Sequence, residues 1–280
     1  MEHERFDGQI VVVTGAGSGI GRATARLFGR LGAKVHAADI DPAAAAATRA
    51  DIEAAGGHAS DHAVDVGDPA AVAALAERVY AEDGRVDVLH NNAGIGHAAP
   101  AEQTTVEDWQ RVVSVNLLGV AYGVQAFVPR LLAQGGGATI VNTASIAGLV
   151  PAVGMAPYCA SKYGVVGLTK ALHAELAPQG IHVAAVCPGI IATNITRTSI
   201  LRGEPGERQA QIIAFYERRG AKPEAVADAV VDAVRRRRVI RTVPRSHVVP
   251  AWAIERVAPR ASVVLARALP RLVLGRRRKS

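Results

Sequence analysis

Residues 9–21 read Gln-Ile-Val-Val-Val-Thr-Gly-Ala-Gly-Ser-Gly-Ile-Gly, and this stretch predicts a strand, a glycine turn and the start of a helix. Its apolar, β-branched first half is typical of a buried parallel strand. Gly15, Gly19 and Gly21 follow before a helical pattern that extends to about Leu31. Glycines let the backbone turn tightly and approach a pyrophosphate, and the helix N-terminus adds N–H donors. The spacing differs from the commoner Gly-x-Gly-x-x-Gly fingerprint, but its position between strand and helix predicts nucleotide binding rather than a purely structural turn.

Strand and helix patterns alternate along the chain after this turn. The alternation predicts an α/β protein with a single-domain Rossmann fold, a doubly wound, seven-stranded parallel sheet with helices on both faces. The predicted strands are residues 9–14, 34–39, 58–65, 86–91, 138–142, 181–186 and 239–243. The later predicted helices are residues 42–55, 69–82, 106–132, 157–176 and 224–235. We assign residues 1–249 to this domain, with a substrate loop at about 189–221, and residues 250–280 to a C-terminal extension.

The net charge of +7 on the 280 residues is unevenly distributed. Residues 235–280 contain 14 Lys or Arg and one acid, which gives +13, whereas the other 18 basic and 24 acidic residues give −6. Any interaction based on positive charge therefore concerns the extension alone. The two cysteines, Cys159 and Cys187, have no metal or disulfide spacing, which favours a reducing, cytoplasmic setting. The nine histidines also lack ligand spacing, so we predict no metal site.

Tyr158 and Lys162 are the strongest candidates for chemistry. They lie four residues apart in a predicted helix and so share one face. A free tyrosine has a pKa of about 10. We expect the nearby ammonium to favour the phenolate and to move the pKa of Tyr158 toward the neutral range. The pair by itself is typical of an ordinary amphipathic helix, and the glycine turn upstream is what favours a catalytic interpretation.

Asp39 ends the second predicted strand, 24 residues after Gly15. A carboxylate there can accept hydrogen bonds from both ribose hydroxyls and would repel a 2′-phosphate. Ser18 adds no positive charge to the turn. These residues favour NAD over NADP. The alternative is that Asp39 or Asp41 only caps the helix that begins near Pro42.

From about Gly8 to Val243 the chain resembles the short-chain dehydrogenase/reductase family. The resemblance rests on motifs in the family's order and spacing: Thr14-Gly15-x-x-x-Gly19-Ile20-Gly21, Asp65, Asn91-Asn92-Ala93-Gly94, Asn116, Ser145, Tyr158 with Lys162, and Pro188-Gly189-Ile190-Ile191-Ala192-Thr193. It implies a catalytic tetrad of Asn116, Ser145, Tyr158 and Lys162. It also implies cofactor contacts at Gly15, Ser18, Gly19, Ile20, Asp39, Asp65, Val66, Asn92, Ala93, Gly94, Tyr158, Lys162, Pro188, Gly189, Ile191 and Thr193.

The family's chemistry implies a role for each tetrad residue. Tyr158 exchanges a proton with the substrate oxygen while hydride moves between the alcohol carbon and the nicotinamide. Lys162 holds the phenolate and the nicotinamide ribose, and Ser145 stabilises negative charge on the carbonyl oxygen. Asn116 holds a water that connects Lys162 to solvent. Without the resemblance, an Asn within a helix and a Ser after a strand are typical of solvent-facing and turn-capping residues.

The expected substrate is a lipophilic secondary alcohol or ketone, because apolar residues dominate the surrounding segments. These residues are Ile146, Leu149, Val150, Val153, Met155, Ile190 and Ile191. We assign His97 to the rim of the site. Arg197 and Arg202 leave open an anion clamp that forms when the loop closes. The alternative function on the same fold is that of a non-catalytic protein, either a nucleotide sensor or an interaction protein recruited to a membrane.

The C-terminal extension combines apolar residues at helical spacing with basic residues. Packing on this subunit or a neighbour, peripheral contact with an anionic membrane, and nucleic-acid binding all remain open at this point. Trp252 is the one aromatic residue there, which disfavours nucleic acid. Members of the family commonly form homodimers or homotetramers through the two long helices, here residues 106–132 and 157–176.

Overall fold

The computed structural model describes residues 6–135 and 137–267. Seven strands within those residues form one parallel sheet, in the order β3-β2-β1-β4-β6-β7-β9, and two very short strands pair separately. The strands are β1 (Ile10–Thr14), β2 (Lys34–Asp39), β3 (His58–Ala63), β4 (Val88–Asn91), β5 (His97–Ala98), β6 (Thr139–Thr143), β7 (His182–Pro188), β8 (Ile200–Leu201) and β9 (Ile240–Val243).

The helices connect these strands and cover the sheet. They are α1 (Gly19–Arg30), α2 (Pro42–Ala54), α3 (Pro69–Asp83), α4 (Val106–Val113), α5 (Gly119–Ala133), α6 (Ala156–Leu176), α7 (Ile195–Thr198), α8 (Glu204–Glu207), α9 (Gln209–Arg219), α10 (Pro223–Arg236), α11 (Arg245–Val257) and α12 (Pro259–Ala266).

Apolar side chains fill both faces of the sheet. On one face, Phe28 of α1 and Val230 of α10 pack against the strands. On the other face, Leu75 of α3 and Phe127 of α5 do the same. Strands β1 and β7 are buried on both sides, which is why they read as continuous apolar runs instead of alternating ones. The predicted doubly wound Rossmann fold with seven parallel strands is confirmed.

The predicted helix over residues 106–132 is interrupted. A π-helical turn, Ser114–Leu118, separates α4 from α5. Its wider spacing turns the Asn116 side chain inward, where it is fully buried. The run Val106–Ala133 is long and apolar enough for a membrane span by length and composition alone, but it packs against α3 and α6 as a core helix does.

Two features near the substrate loop were absent from the prediction. β7 continues to Pro188, two residues past its predicted end, because Pro188 still pairs with Val243 of β9. The two-residue strands β5 and β8 join the chain after β4 to the substrate loop. Strands this short leave no periodicity in a sequence.

The described part of the C-terminal extension is helical, and its first helix starts before residue 250. α11 begins at Arg245, so it crosses the predicted boundary between residues 249 and 250. Val248 of this helix is fully buried in the same core cluster as Val165 of α6, and Trp252 packs against that cluster. The first half of α11 is therefore part of the domain's core.

Candidate active site

The ends of β1 and β4 are joined by a single threonine. The Thr14 hydroxyl accepts hydrogen bonds from the backbone N–H groups of Asn92 (3.0 Å) and Ala93 (3.2 Å). The Asn92 amide also donates to the Thr14 carbonyl at 3.0 Å. These bonds fix the segment Asn91–Gly94 directly beside the glycine turn, which is how two motifs 77 residues apart come to form one site.

The glycine turn leaves no room for side chains. Gly15 has a φ of +64°, and a Cβ there would lie 2.8 Å from the Ala93 Cα. A Cβ on Gly21 would overlap the Gly15 carbonyl oxygen. Ser18, at the N-cap position of α1, makes no capping hydrogen bond through its side chain. The first N–H groups of α1 thus point into a bare cradle, which suits a pyrophosphate.

Asp39 is tied to the turn, whereas Asp41 caps the next helix. One Asp39 oxygen accepts from the Gly17 N–H at 2.8 Å, and the other accepts from the Asp41 N–H at 3.0 Å. Asp41 accepts from Ala43 and Ala44 at the start of α2. Of the two capping alternatives raised by the sequence, the structure assigns the cap to Asp41. Asp39 holds its carboxylate over the glycine turn, where the adenosine ribose of a dinucleotide would lie.

The structure places Asp65 and Val66 at the edge of this cradle, after β3. Asp65 is exposed, and its carboxylate accepts from the Gly67 N–H at 2.8 Å in a tight turn. Val66 is buried against Gly119 at the start of α5. Because β2 and β3 are parallel, this turn lies at the same edge of the sheet as Asp39, consistent with a contact to an adenine ring.

The opposite wall of the cradle is the segment after β7. Gly189 donates to the Val243 carbonyl at 2.8 Å, and Ile191 forms a bridge with Ala221. Thr193 comes within 3.3 Å of where a Gly19 Cβ would lie. Of the predicted cofactor residues in this segment, Thr193 lies against the glycine turn, whereas Pro188 and Gly189 are tied to β9 and Ile191 is tied to Ala221.

Tyr158, Lys162 and Ser145 meet at the carboxyl end of β6. Ser145 follows the strand, and its hydroxyl accepts from the Ala147 N–H at 3.1 Å at the start of a short 3₁₀ turn, Ile146–Gly148. Tyr158 and Lys162 lie one turn apart on α6, with the Lys162 Nζ 5.8 Å from the centroid of the Tyr158 ring. That Nζ donates to the Thr143 carbonyl at 2.9 Å. A Cβ on Gly148 would overlap the Lys162 backbone, so this glycine lets the two segments pack together.

Burial controls the ionisation of Tyr158 and Lys162. Burial raises the pKa of Tyr158 to about 12, and the hydrogen bond with Ser145 opposes this only in part. Burial also lowers the pKa of Lys162 to about 8. The sequence-based expectation that Lys162 moves the pKa of Tyr158 toward neutrality is not met in this structure, because desolvation is the largest effect on the phenol and raises its pKa. At neutral pH the pair is a phenol beside an ammonium.

Asn116 reaches the same site from the π-helical turn. Its amide accepts from the Ile95 N–H at 2.8 Å and donates to the Ile95 carbonyl at 2.9 Å. A Cβ on Gly94 would lie 3.1 Å from the Asn116 Oδ1 and 3.5 Å from the Lys162 Nζ. The structure thus brings together all four residues of the predicted tetrad, and Gly94 is the small residue between two of them.

Three polar residues on the substrate side differ from expectation. His97, predicted at the rim, is fully buried in β5, with its Nε2 3.7 Å from an Asp108 oxygen. Burial lowers the pKa of His97, so the ring is neutral. Arg202, proposed for an anion clamp, forms two hydrogen bonds with Asp108 at 2.6 and 2.8 Å, and Arg197 pairs with Glu217. Both guanidinium groups hold the loop instead of facing the site.

The apolar residues predicted for the substrate site divide into two groups. Leu149 and Ile191 are buried in the hydrophobic core, at 4% and 5% exposure. The others are partly or fully exposed around the site: Ile146, Val150, Val153, Met155 and Ile190.

Tyr216 was not identified from the sequence. It lies on α9 of the substrate loop, burial raises the pKa of its phenol, and its charge would raise the pKa of Tyr158 further. The Tyr216 segment matches no motif, so only the folded loop could reveal it.

A histidine–carboxylate cluster lies below β2, away from this site. Ligand atoms of His36, Glu82 and Asp83 fall within 4.8 Å of one another. The Lys34 ammonium already bridges the two carboxylates at 2.7 Å each, and the His36 Nε2 lies 2.6 Å from Asp83. The Lys34 ammonium therefore already lies between the two carboxylates of this cluster.

Comparison with known proteins agrees with this geometry. A family profile described as short chain dehydrogenase matches residues 9–202. The chain is 42% identical over 264 residues to the probable oxidoreductase EphD of Mycobacterium tuberculosis H37Rv, covering 91% of this chain and 44% of that protein. It therefore spans less than half the length of that relative. It is 39% identical to the D-threitol dehydrogenase of Mycolicibacterium smegmatis, covering 81% of this chain and 86% of that one.

Among solved structures, one similar chain is a short chain dehydrogenase/reductase of Burkholderia phymatum in complex with NAD. It is 32% identical, with a TM-score of 0.85, and the match covers 92% of this chain and 96% of that one.

Proposed function

The chain belongs to the short-chain dehydrogenase/reductase family, and we propose that it interconverts a secondary alcohol and the corresponding ketone, using a nicotinamide cofactor. The observation that carries this proposal is the meeting of Tyr158, Lys162 and Ser145 beside a bare glycine cradle. The bound cofactor would supply or accept the hydride. The chain's own residues then have to hold the substrate oxygen and move one proton.

Tyr158 is the residue to which we assign the proton. With a pKa of about 12 it is protonated at neutral pH, so it can donate directly to the oxygen of a ketone during reduction. In alcohol oxidation the same phenol must first lose its proton. The Ser145 hydroxyl, hydrogen-bonded with Tyr158, is placed to share that oxygen and to stabilise negative charge on it.

Lys162 and Asn116 support the phenol electrostatically. With a pKa of about 8, Lys162 remains mostly an ammonium at neutral pH and favours the phenolate when it forms. Asn116, on the other side of Gly94, is positioned to hold a water that leads from this ammonium toward solvent.

We propose NAD as the preferred cofactor. The Asp39 carboxylate over the glycine turn would accept hydrogen bonds from ribose hydroxyls and repel a 2′-phosphate. Asp39→Ala should narrow the ratio of kcat/KM for NAD over that for NADP. An unchanged ratio would show that Asp39 does not select the cofactor.

Two substrate classes compete. Partly exposed Ile146, Val150 and Met155 favour a lipophilic alcohol or ketone. The likeness to a D-threitol dehydrogenase favours a small polyol. An NADH-formation assay across both classes of alcohol separates them, since a lipophilic pocket discriminates by roughly 1–3 kcal/mol per methylene.

The mechanism is tested by replacing two tyrosines of α6, each in its own variant. Tyr158→Phe should lower kcat by about 10²–10⁴-fold with NADH binding nearly intact. Tyr163→Phe, five residues further along the same helix at an exposed position, should keep normal turnover. Substantial activity in Tyr158→Phe would refute the assignment. Silence of the wild type across the whole panel, with NADH still bound, would favour a nucleotide-sensing protein.

We further propose a homodimer or homotetramer formed through α4–α5 and α6, in the cytoplasm. These helices expose large apolar side chains that a partner subunit would cover: Trp109, Leu118, Leu132 and Tyr163. The two cysteines are both free, which suits a reducing compartment. Light scattering of the purified protein tests the oligomer, and cell fractionation tests the compartment.

A further inference from the structure

The last two helices of the described residues expose four large apolar side chains. Val257 at the end of α11 is 83% exposed, and on α12 Val264 and Leu265 are 61% and 55% exposed. Val263 between them is 47% exposed. We call these four residues the C-terminal patch. Single exposed apolar residues are common on proteins, but three consecutive ones on a helix are not explained by chance exposure.

The packing of the two helices fixes the direction in which the patch faces. α11 is anchored by Val248, which is fully buried, and by Trp252. α12 rests on α11, and its inward side is marked by Ser262, which is 7% exposed. The side of α12 that faces the protein carries small side chains, and the side that faces solvent carries large aliphatic ones. A helix that packs on a core has the reverse arrangement.

Arginines are interleaved with the patch. Arg260 and Arg267 lie seven residues apart, two helical turns, and so fall on the same outward side of α12 as Val263 and Val264. Arg256 is exposed near the end of α11, with its guanidinium 5.6 Å from the centroid of the Trp252 ring. Long arginine side chains can lay their aliphatic part along apolar groups and keep the charge at a more polar level.

We propose that the C-terminal patch binds the surface of a membrane rich in anionic lipids. The valines and leucine would enter the boundary between headgroups and acyl chains, and the arginines would contact lipid phosphates. Charge complementarity supports this partner, since residues 245–267 contain four arginines and one acid, a net +3, whereas residues 1–234 carry −6. An anionic surface would attract this end of the molecule and repel the rest. The proposal is independent of the catalytic one.

The alternative occupants fit the same residues less well. A second copy of the chain would bring Arg256, Arg260 and Arg267 close to the same three residues, with repulsion between like charges. A nucleic acid would satisfy the arginines but leave the aliphatic side chains in water. It would also lack a stacking surface, since Trp252 is half-buried and faces Arg256.

Vesicle flotation of the full chain tests the proposal. Wild type should float with vesicles containing 30% phosphatidylglycerol and stay behind with pure phosphatidylcholine vesicles. Val264→Ser/Leu265→Ser should weaken partitioning roughly tenfold or more, because the apolar insertion is lost. Arg260→Gln/Arg267→Gln should weaken it about 25-fold, at about fivefold for each charge near the surface.

Matched variants control for exposure and net charge. Arg30→Gln/Arg78→Gln removes the same two charges from exposed positions of α1 and α3, and Val106→Ser removes an equally exposed valine from α4. Both should float like wild type, and all variants should retain turnover. Equal flotation of the Val264/Leu265 variant and wild type would overturn the proposal, because binding would then be purely electrostatic. A changed oligomeric state in that variant, without a change in flotation, would assign the patch to a second copy.

Discussion

At the cofactor end, the glycine turn is held by hydrogen bonds between side chains and backbone, made by Thr14, Asn92 and Asp39. At the substrate end, the loop is held by the two-residue pairing of β5 with β8 and by a side-chain ion pair, Arg202–Asp108, between residues 94 positions apart. Backbone contacts demand particular small residues at particular spacings, while an ion pair can be replaced by many other pairs. The cofactor end is therefore specified by local sequence, and the substrate end is specified by tertiary structure.

Adding a side chain to the glycine turn should have the largest effect of the changes considered. It should distort the cofactor end of the site and leave the substrate end intact. In Gly21→Ala the added Cβ would overlap the Gly15 carbonyl, so the turn must shift. We expect a loss of about 3 kcal/mol in the free energy of unfolding and at least 100-fold weaker NADH binding. Urea unfolding and NADH fluorescence titration measure the two effects.

Gly167→Ala is the matched control for that variant. Gly167 lies in the middle of α6, and no atom comes within 4 Å of where its Cβ would be. Alanine favours a helix by up to about 1 kcal/mol over glycine, so the control should be neutral or slightly stabilising. If Gly21→Ala and Gly167→Ala show the same free energy of unfolding and the same affinity for NADH, close packing at Gly21 is not what fixes the turn.

The same contrast explains what the sequence could and could not predict. The sheet, the glycine turn and the positions of Tyr158 and Lys162 followed from apolar runs and fixed spacings, which are local. The burial of His97 and the pairing of Arg202 did not, since both depend on the two-residue strands β5 and β8, which bring distant segments together. The high pKa of Tyr158 was also missed, because desolvation depends on everything that surrounds a side chain and not on its one charged neighbour.

Lowering the pH to about 5 should destabilise the sheet before it affects the ion pair that holds the substrate loop. His90 in β4 is fully buried, and burial lowers its pKa to about 3. Below pH 6.5 the unfolded chain binds a proton that folded His90 does not, so stability falls as the pH falls, by about 2 kcal/mol for this residue at pH 5. In contrast, Arg202 holds the pKa of the Asp108 carboxyl well below its usual range, so that ion pair stays intact.

Urea unfolding at pH 7 and pH 5 measures this effect. Wild type should be clearly less stable at pH 5, and His90→Asn, which cannot take up the proton, should show a smaller difference between the two pH values. Equal stability of wild type at both values would contradict the assignment of acid sensitivity to buried neutral histidines.

The smallest expected effects concern the two ion pairs of the substrate loop. Comparing them distinguishes an ion pair with a buried carboxylate from one that is exposed on both sides. Asp108 is only 3% exposed, so Arg202→Gln leaves a buried carboxylate without its cation. Because Arg202 itself is 43% exposed, we expect a moderate cost of about 1–2 kcal/mol, together with a higher KM for the alcohol and an unchanged Kd for NADH.

Arg197→Gln removes the other arginine of the same loop. Arg197 and Glu217 are 55% and 60% exposed, and water replaces such a pair at almost no cost, so the change should stay within about 0.5 kcal/mol. The difference between the two variants should persist at pH 5, where the Asp108 carboxylate is still ionised. If Arg197→Gln raises the KM as much as Arg202→Gln does, the loop is held by its total charge, and burial of Asp108 is not what anchors the substrate end.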